Sequence, residues 1–285
     1  MLNSARFREL ERRIAKAAIA RDMPVGRFRR LVAFAVLIET LTEAVAQGLI
    51  PVFFVKGGVA LELRLGLAAR ATKDLDIGFC LDSDQVLVGF DGAIAVGYGD
   101  FRLRRQGEAV LLDNGTRQLR VRIDYLGNAF ATVNVDLAPA SSETSTDDIE
   151  PYVLAEIGLT AARDVPCLGI IEQIAQKVHA TTEPAPRGRT NARFRDVIDI
   201  LLLAGTFEPN AAEIYAASAR VFATRATHSW PLASYVFPVE WTEPLAVLAK
   251  ESGYETTDIG FIQARFNAFL ELLSSARASS VPSAH

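Results

Sequence analysis

Asp74 and Asp76 stand two apart in "KDLDIGF" (73–79). Side chains on a strand alternate between faces, so both carboxylates point one way while Leu75, Ile77 and Phe79 point into a core. "ATVNVDLA" (131–138) obeys the same arithmetic, with Val133, Val135 and Leu137 on one face and Asn134 and Asp136 on the other. If the two strands are neighbours, three carboxylates converge on one sheet face. Such groups repel one another unless a cation sits among them. An oxygen-only set suits Mg²⁺, which keeps several waters and shares ligands with substrate phosphates. Asp124 in "VRIDYLG" is a rival third carboxylate, because it alternates equally well with Arg120 and Arg122 on its own face.

Gly57 and Gly58 come earlier, where the apolar run "IPVFFV" feeds a helix. Glycines there let backbone N–H groups approach a ligand, and a helix N-terminus favours an anion. A phosphate cradle beside metal-binding carboxylates is the apparatus of phosphoryl or nucleotidyl transfer. Two metals about 4 Å apart would clamp the attacking and leaving oxygens. The pattern is neither a P-loop nor a dinucleotide fingerprint: Lys56 precedes the glycines, and "GYGDFR" (97–102) lacks a third glycine. Taken singly, a glycine pair fits an ordinary turn and a DxD fits a solvated strand face. Their order, strand–GG–helix–strand–DxD, is what points to chemistry.

A second set lies beyond residue 165. In "GIIEQIAQKVHAT" (169–181), Ile170, Ile171, Ile174 and Val178 form an apolar stripe with Lys177 at its edge, able to extend its head into a cleft or to snorkel. In "RFRDVIDILLLA" (193–204), Asp196 and Asp199 are three apart and share a helix face. They fit either a site or a surface network with Arg193 and Arg195. Arginines concentrate in two places, Arg187, Arg189, Arg193 and Arg195, and Arg102, Arg104, Arg105, Arg117, Arg120 and Arg122. Their bidentate geometry suits phosphates, of an RNA backbone or a triphosphate, as well as a solvated rim. His179 has no partner pattern and is given no role.

The elements that must position these residues follow from periodicity. Apolar spacings of three and four predict helices over 4–20 and 28–47, with Gly48 as a C-cap. Residues 50–55 read as a buried strand, 58–66 as a helix, and 73–79 as the next strand. "LDSDQVLVGF" reads as a short connecting helix, and 93–137 as a β-meander with an Asn114-Gly115 hairpin turn. The polar stretch "SSETSTDDIEP" (141–151) suggests a domain boundary. Beyond it the chain reads as helical, over 169–181, 193–204, 210–221, 242–251 and 258–276. The domains expected are therefore 1–140, the N-terminal helices and catalytic core, and 150–276, a helical domain, with a disordered tail over 277–285.

Whole-chain properties set limits. With 285 residues, 50% of them hydrophobic, the chain supports a sizeable core. A net charge of −4 does not announce a nucleic-acid binder. Cys80 and Cys167 have no partners at metal-ligand spacing and read as small buried hydrophobes of a reducing compartment. Glu39, Glu43 and Pro51 interrupt the longest apolar zone, which argues against a membrane span, and the charged N-terminus lacks a targeting segment. The expectation is a cytoplasmic protein.

"FFVKGGVALELRLGLAARATKDLDIGF" resembles the signature of the AbiEii/AbiGii-type toxins of the nucleotidyltransferase fold, and "IIEQIAQKVHAT…RFRDVIDILLL" resembles that family's second half. Val59 stands where threonine is commoner in the family. The resemblance implies an α+β fold, a nucleotidyltransferase-like mixed β-sheet with flanking helices plus a C-terminal helical domain. It implies a Mg²⁺-dependent toxin of a toxin–antitoxin pair that moves a nucleotide from an NTP to an RNA hydroxyl such as a tRNA acceptor end. A cognate antitoxin would be its partner. Lys56, Gly57 and Gly58 would bind the triphosphate, Asp74 and Asp76 would hold the metal with Asp136 as a third carboxylate, and Lys177 with Asp196 or Asp199 would complete the nucleotide site. Two other readings stay open: a small-molecule or protein hydroxyl as acceptor, or a nucleotide- or partner-binding module without turnover.

Overall fold

The computed structural model describes residues 2–80, 85–141, 143–161, 164–185 and 189–276. The chain forms two compact units, Met1–Gly66 with Ala71–Leu168, and Leu67–Arg70 with Gly169–His285. The expected disordered tail, 277–285, lies outside the described residues, as do the first residues of "LDSDQVLVGF".

The first unit opens with helices α1 (Leu2–Ala20) and α2 (Val25–Ala46). Strand β1 (Phe53–Lys56) runs directly into α3 (Gly57–Leu65), and β2 (Asp74–Phe79) returns antiparallel beside β1. Helix α4 (Val86–Ala95) leads to β3 (Phe101–Arg105), β4 (Val110–Leu111), β5 (Arg117–Tyr125) and β6 (Asn128–Pro139). The expected hairpin forms between β4 and β5, with Gly115 at φ +79°. It is short because the longer pairing of β5 is with β6. Strand β7 (Thr146–Ile149), the four-residue helix α5 (Tyr152–Ala155) and β8 (Val165–Leu168) complete the unit. The sheet order is β3-β5-β6-β2-β1-β8-β7, with β4 beside β5.

Strands β7 and β8 correct the sequence reading. β7 pairs antiparallel with β8, which lies parallel to β1, so the polar stretch 141–151 feeds an edge of the sheet and the first unit runs to Leu168. Four-residue strands with little alternation leave no periodic trace. Cys167 of β8 is buried as expected, whereas Cys80 is half-buried.

Alternation sorts this sheet. Val133, Val135, Leu137, Leu75, Ile77, Val121 and Ile123 are buried together with Phe28, Phe34, Leu37 and Ile38 of α2. The opposite face carries Asp74, Asp76, Asn134, Asp136, Gln118, Arg120 and Arg122, each exposed or half-buried.

The second unit holds α6 (Ile170–Thr182), α7 (Phe194–Phe207), α8 (Ala211–Arg225), α9 (Thr242–Glu251) and α10 (Ile259–Ala276). Trp241 is buried against Phe237 and Tyr235, and its indole N–H donates to the Asn191 carbonyl. His179, given no role by its sequence, is fully buried in a second cluster. Its ring lies 4.7 Å from both Phe222 and His228. Arg225 can only donate, so its 3.2 Å bond makes His179 Nδ1 an acceptor and leaves the proton on Nε2, which donates to Thr227 Oγ1 at 3.1 Å. The chain continues from Thr227 to His228 Nδ1 at 3.0 Å, from His228 Nε2 to Thr182 Oγ1 at 2.9 Å, and from Thr182 to the Val178 carbonyl at 2.8 Å.

Burial, then the Arg225 charge, then His228 push the His179 pKa down to about 4, and burial lowers that of His228. A histidine with a depressed folded pKa binds its proton more readily when unfolded. Its stabilisation is therefore complete above about pH 6.5, the ordinary histidine value, and is lost as pH falls towards 4. Urea unfolding followed at Trp230 and Trp241 should show a midpoint that declines between pH 6.5 and 4, and His179→Phe should flatten that slope. A midpoint with the same slope in both proteins would refute the assignment.

Candidate active site

Register brings the carboxylates together. β2 and β6 run parallel, with Asp74 opposite Asn134 and Asp76 opposite Asp136. Across β1, Lys56 is opposite Asp76; across β5, Gln118 is opposite Asp136 and Arg120 opposite Asn134. Two rows therefore cross one sheet face, Lys56–Asp76–Asp136–Gln118 and Asp74–Asn134–Arg120. Asp124 lies six residues along β5 from Gln118, roughly 20 Å at the strand rise, and is bound to Arg122 at 2.9 Å. Of the two rivals, Asp136 is the one beside Asp76.

Polar neighbours orient these groups. Asn134 Nδ2 donates to Asp74 Oδ1 at 2.9 Å, and Gln118 Nε2 to Asp136 Oδ2 at 3.3 Å. Partial burial, then the Asp74 charge, push the Asp136 carboxyl above the usual carboxylate range, against the Gln118 bond and the Lys56 charge. Among the described residues, no three His, Cys, Asp or Glu side chains close into a ready-made metal cage. The donor set nevertheless fits Mg²⁺, which takes one or two carboxylates and completes its shell with phosphate oxygens and water.

The glycine pair is shaped by this cluster. Gly57 opens α3 at φ +62°, and a Cβ there would fall 1.9 Å from Asp76 Oδ2. Gly58 adopts no unusual conformation, but a Cβ on it would meet Thr72 Oγ1 at 2.6 Å. Both glycines thus clear space for the segment that carries the aspartates.

In the second unit, Lys177 Nζ donates to Asp196 Oδ1 at 2.6 Å and Asp199 Oδ2 at 2.7 Å. All three residues are buried. Lys177 is not the extended or snorkelling head group its helix position suggests. Burial works against the ammonium, but Asp196 and Asp199 outweigh it and hold Lys177 above the usual lysine range. Burial likewise opposes the Asp196 carboxylate, and Lys177 outweighs it, so Asp196 lies below its usual range. Arg70, in the segment Leu67–Arg70, also reaches Asp199 Oδ2, at 3.2 Å. The expected surface network is reduced to Arg193, 4.0 Å from Asp196, while Arg195 lies over the Phe194 ring. Arg187 lies outside the described residues.

The meander arginines divide by strand parity. Arg105 is held by Asp91 of α4. Arg102 and Arg104 stand opposite Asp124 and Arg122, on the carboxylate face. Arg102 folds back onto the carbonyls of Gly99 and Phe101. Arg104, Arg120 and Arg122 form a strip flanking the carboxylate rows, offset by Asp124 alone of the acids on β3 and β5.

The family model described as nucleotidyl transferase AbiEii toxin, type IV toxin–antitoxin system, matches residues 39–279. MenT4, a nucleotidyltransferase toxin from Mycobacterium tuberculosis H37Rv, is similar in structure, with a TM-score of 0.59 and 19% identity over 96% of this chain and 90% of that one. At that identity the likeness is one of fold. ANT(2'')-Ia in complex with adenylyl-2''-tobramycin aligns at a TM-score of 0.40 and 19% identity, over 68% of this chain and 99% of that one, too loosely to carry an argument. No curated protein matches.

Gly57→Ala places a side chain both at positive φ and inside the Asp76 carboxylate. It should cost more than about 1 kcal/mol for the backbone alone and lower the urea midpoint. Gly26→Ala, in α2 with nothing within 4 Å of the added carbon, is the matched control and should not lower it. Equal midpoints for the two variants would show that the close approach at Gly57 is not a constraint.

Proposed function

Because the chain belongs to the AbiEii nucleotidyltransferase toxin family of type IV toxin–antitoxin systems, we propose that its acceptor is an RNA end, such as that of a tRNA, and that its metal is Mg²⁺ on Asp74, Asp76 and Asp136. Membership implies an NTP as donor and an antitoxin as counterpart. No helix among the described residues is long and apolar enough to cross a membrane.

The observation that carries this reading is the pair of rows on one sheet face, with carboxylates at β2 and β6 and, beside them at β5 and β3, Arg104, Arg120 and Arg122 with Asp124 as their one strand acid. The start of α3, with Lys56 before it, offers backbone N–H groups and a positive dipole end to the triphosphate. Asp74 is held in one orientation by Asn134, and Asp136 by Gln118. Asp74, Asp76 and Asp136 would hold Mg²⁺, which would supply a lowered pKa for an acceptor hydroxyl and a counter-charge for the α-phosphate. The acceptor oxygen bonds to that phosphorus, the bond to the β-phosphate bridge breaks, pyrophosphate departs with the electron pair, and the hydroxyl proton passes to water. Arg104, Arg120 and Arg122 are assigned to the acceptor's own phosphates. Lys177, kept charged by Asp196 and Asp199, is assigned to handling the nucleotide.

Incubation with each α-labelled NTP, Mg²⁺ and total RNA should label RNA. Asp74→Asn and Asp76→Asn should each reduce labelling by about 100-fold or more without lowering the unfolding midpoint. Arg120→Ala with Arg122→Ala should weaken RNA binding and lower the salt slope by about one unit per lost phosphate contact. Label recovered in protein or a small molecule, with none in RNA, would overturn the acceptor assignment.

A further inference from the structure

Glu62 is a carboxylate placed almost out of reach of solvent, at 1% exposure, on the helix that the glycine pair opens. It sits one helical turn after Gly58, on the same face, and both meet Thr72. A Cβ on Gly58 would strike the Thr72 side chain, and Glu62 Oε2 accepts the Thr72 backbone N–H at 3.4 Å. Glu62 Oε1 takes Arg27 of α2 at 2.7 Å. The other end of the same residue is held as well, since Arg30 of α2 donates to the Thr72 carbonyl at 3.0 Å. Thr72 Oγ1 reaches forward to the Asp74 carbonyl at 3.3 Å. The residue two before Asp74 is thus fixed at its N–H, its carbonyl and its side chain.

This arrangement is a poor device for stability. A buried carboxylate–guanidinium pair contributes on average no more than apolar side chains of the same volume. What the pair supplies is direction. A leucine at 62 could fill the space but could not hold the Thr72 N–H, and the chain entering β2 would be free to rotate. A small rotation there re-aims Asp74, and Asp76 after it, by the alternation of the strand.

We infer that Glu62, together with Arg27 and Arg30 and acting through Thr72, is a positioning residue that aims the Asp74–Asp76 carboxylates. The inference rests on the assignment of those carboxylates to the metal. It is tested on the full chain with Mn²⁺ as the probe, titrated against the EPR signal of the free ion, alongside kcat and KM for the NTP. Glu62→Leu and Arg30→Met should weaken Mn²⁺ binding and lower kcat by about tenfold each, as loss of outer-shell partners does. KM for the NTP should move less than roughly twofold, because the α3 N-terminus is untouched. Glu62→Gln keeps an acceptor for the Thr72 N–H, and Arg30→Lys keeps a donor for its carbonyl. Each should recover most of the loss.

Circular dichroism monitors the fold, and Arg30→Met, on a half-buried position, carries the test if Glu62→Leu fails to fold. Wild-type Mn²⁺ affinity and kcat in a folded Glu62→Leu or Arg30→Met protein overturn the inference, as does an effect confined to the melting midpoint. Asp74→Asn is the control that separates the two assignments. If it leaves Mn²⁺ binding unchanged, the metal assignment falls and takes the positioning role with it. If it abolishes binding while the Glu62 and Arg30 variants bind normally, only the positioning role falls.

Discussion

Three like charges held on adjacent strands are the constraint that shapes the first unit. The parallel pairing of β2 with β6 sets Asp76 beside Asp136, with Asp74 one step away on the same face. Like charges in cross-strand register are unfavourable, and the Asp136 carboxyl, raised first by partial burial, is raised further by the Asp74 charge. The surroundings answer that repulsion piece by piece. Lys56 stands in register with Asp76 on one side, Gln118 donates to Asp136 on the other, and Asn134 occupies the position where a fourth acid would sit. Gly57 gives up its side chain so that the Asp76 carboxylate has room. An apolar sheet would need none of these arrangements, so they are the cost of keeping acids together for use.

The second unit solves the opposite problem. There one cation is buried between two anions, and each partner holds the other charged. Removing one member of such a triad leaves an uncompensated buried charge, which is far more damaging than never having built the set. Arg70 makes Asp199 shared property, since the same oxygen receives both cations. Asp196 and Asp199 are therefore unequal: Asp199 ties two positive groups together, whereas Asp196 answers chiefly to Lys177.

How much of this was legible in the sequence depends on the distance over which each feature is decided. Alternation is local, and it placed Asp74, Asp76, Asn134 and Asp136 on one face without knowledge of the fold. Strand neighbours are not local. Asp136 and Asp124 alternate equally well, and only the register of β2, β5 and β6 separates them. The β7–β8 pairing was invisible for the same reason, because "TDDI" and "VPCL" carry no period and acquire meaning only from each other. His179 reads as solitary since its partners, Arg225, Thr227 and His228, lie more than forty residues on. Glu62 was overlooked because an acid in a short helix normally faces water. Its spacing from Gly58 holds the clue, and only once Thr72 is known to fill the space a Gly58 side chain would need.

Charge shows most clearly why whole-chain averages mislead. The net charge is −4, which at long range repels a polyanion. Salt screens that repulsion within about 10 Å, so an acidic protein can still engage phosphates wherever a local strip dominates within that distance. Arg104 and Arg122 face each other directly across β3 and β5, an unfavourable pair in a sheet that has to support only itself. Asp124 relieves part of that repulsion, and Arg120 one step away restores it. On a single face the side chains thus change from acidic at β2 and β6 to basic at β5 and β3. A cation drawn to the first and a polyphosphate drawn to the second would each relieve a repulsion that the sheet carries.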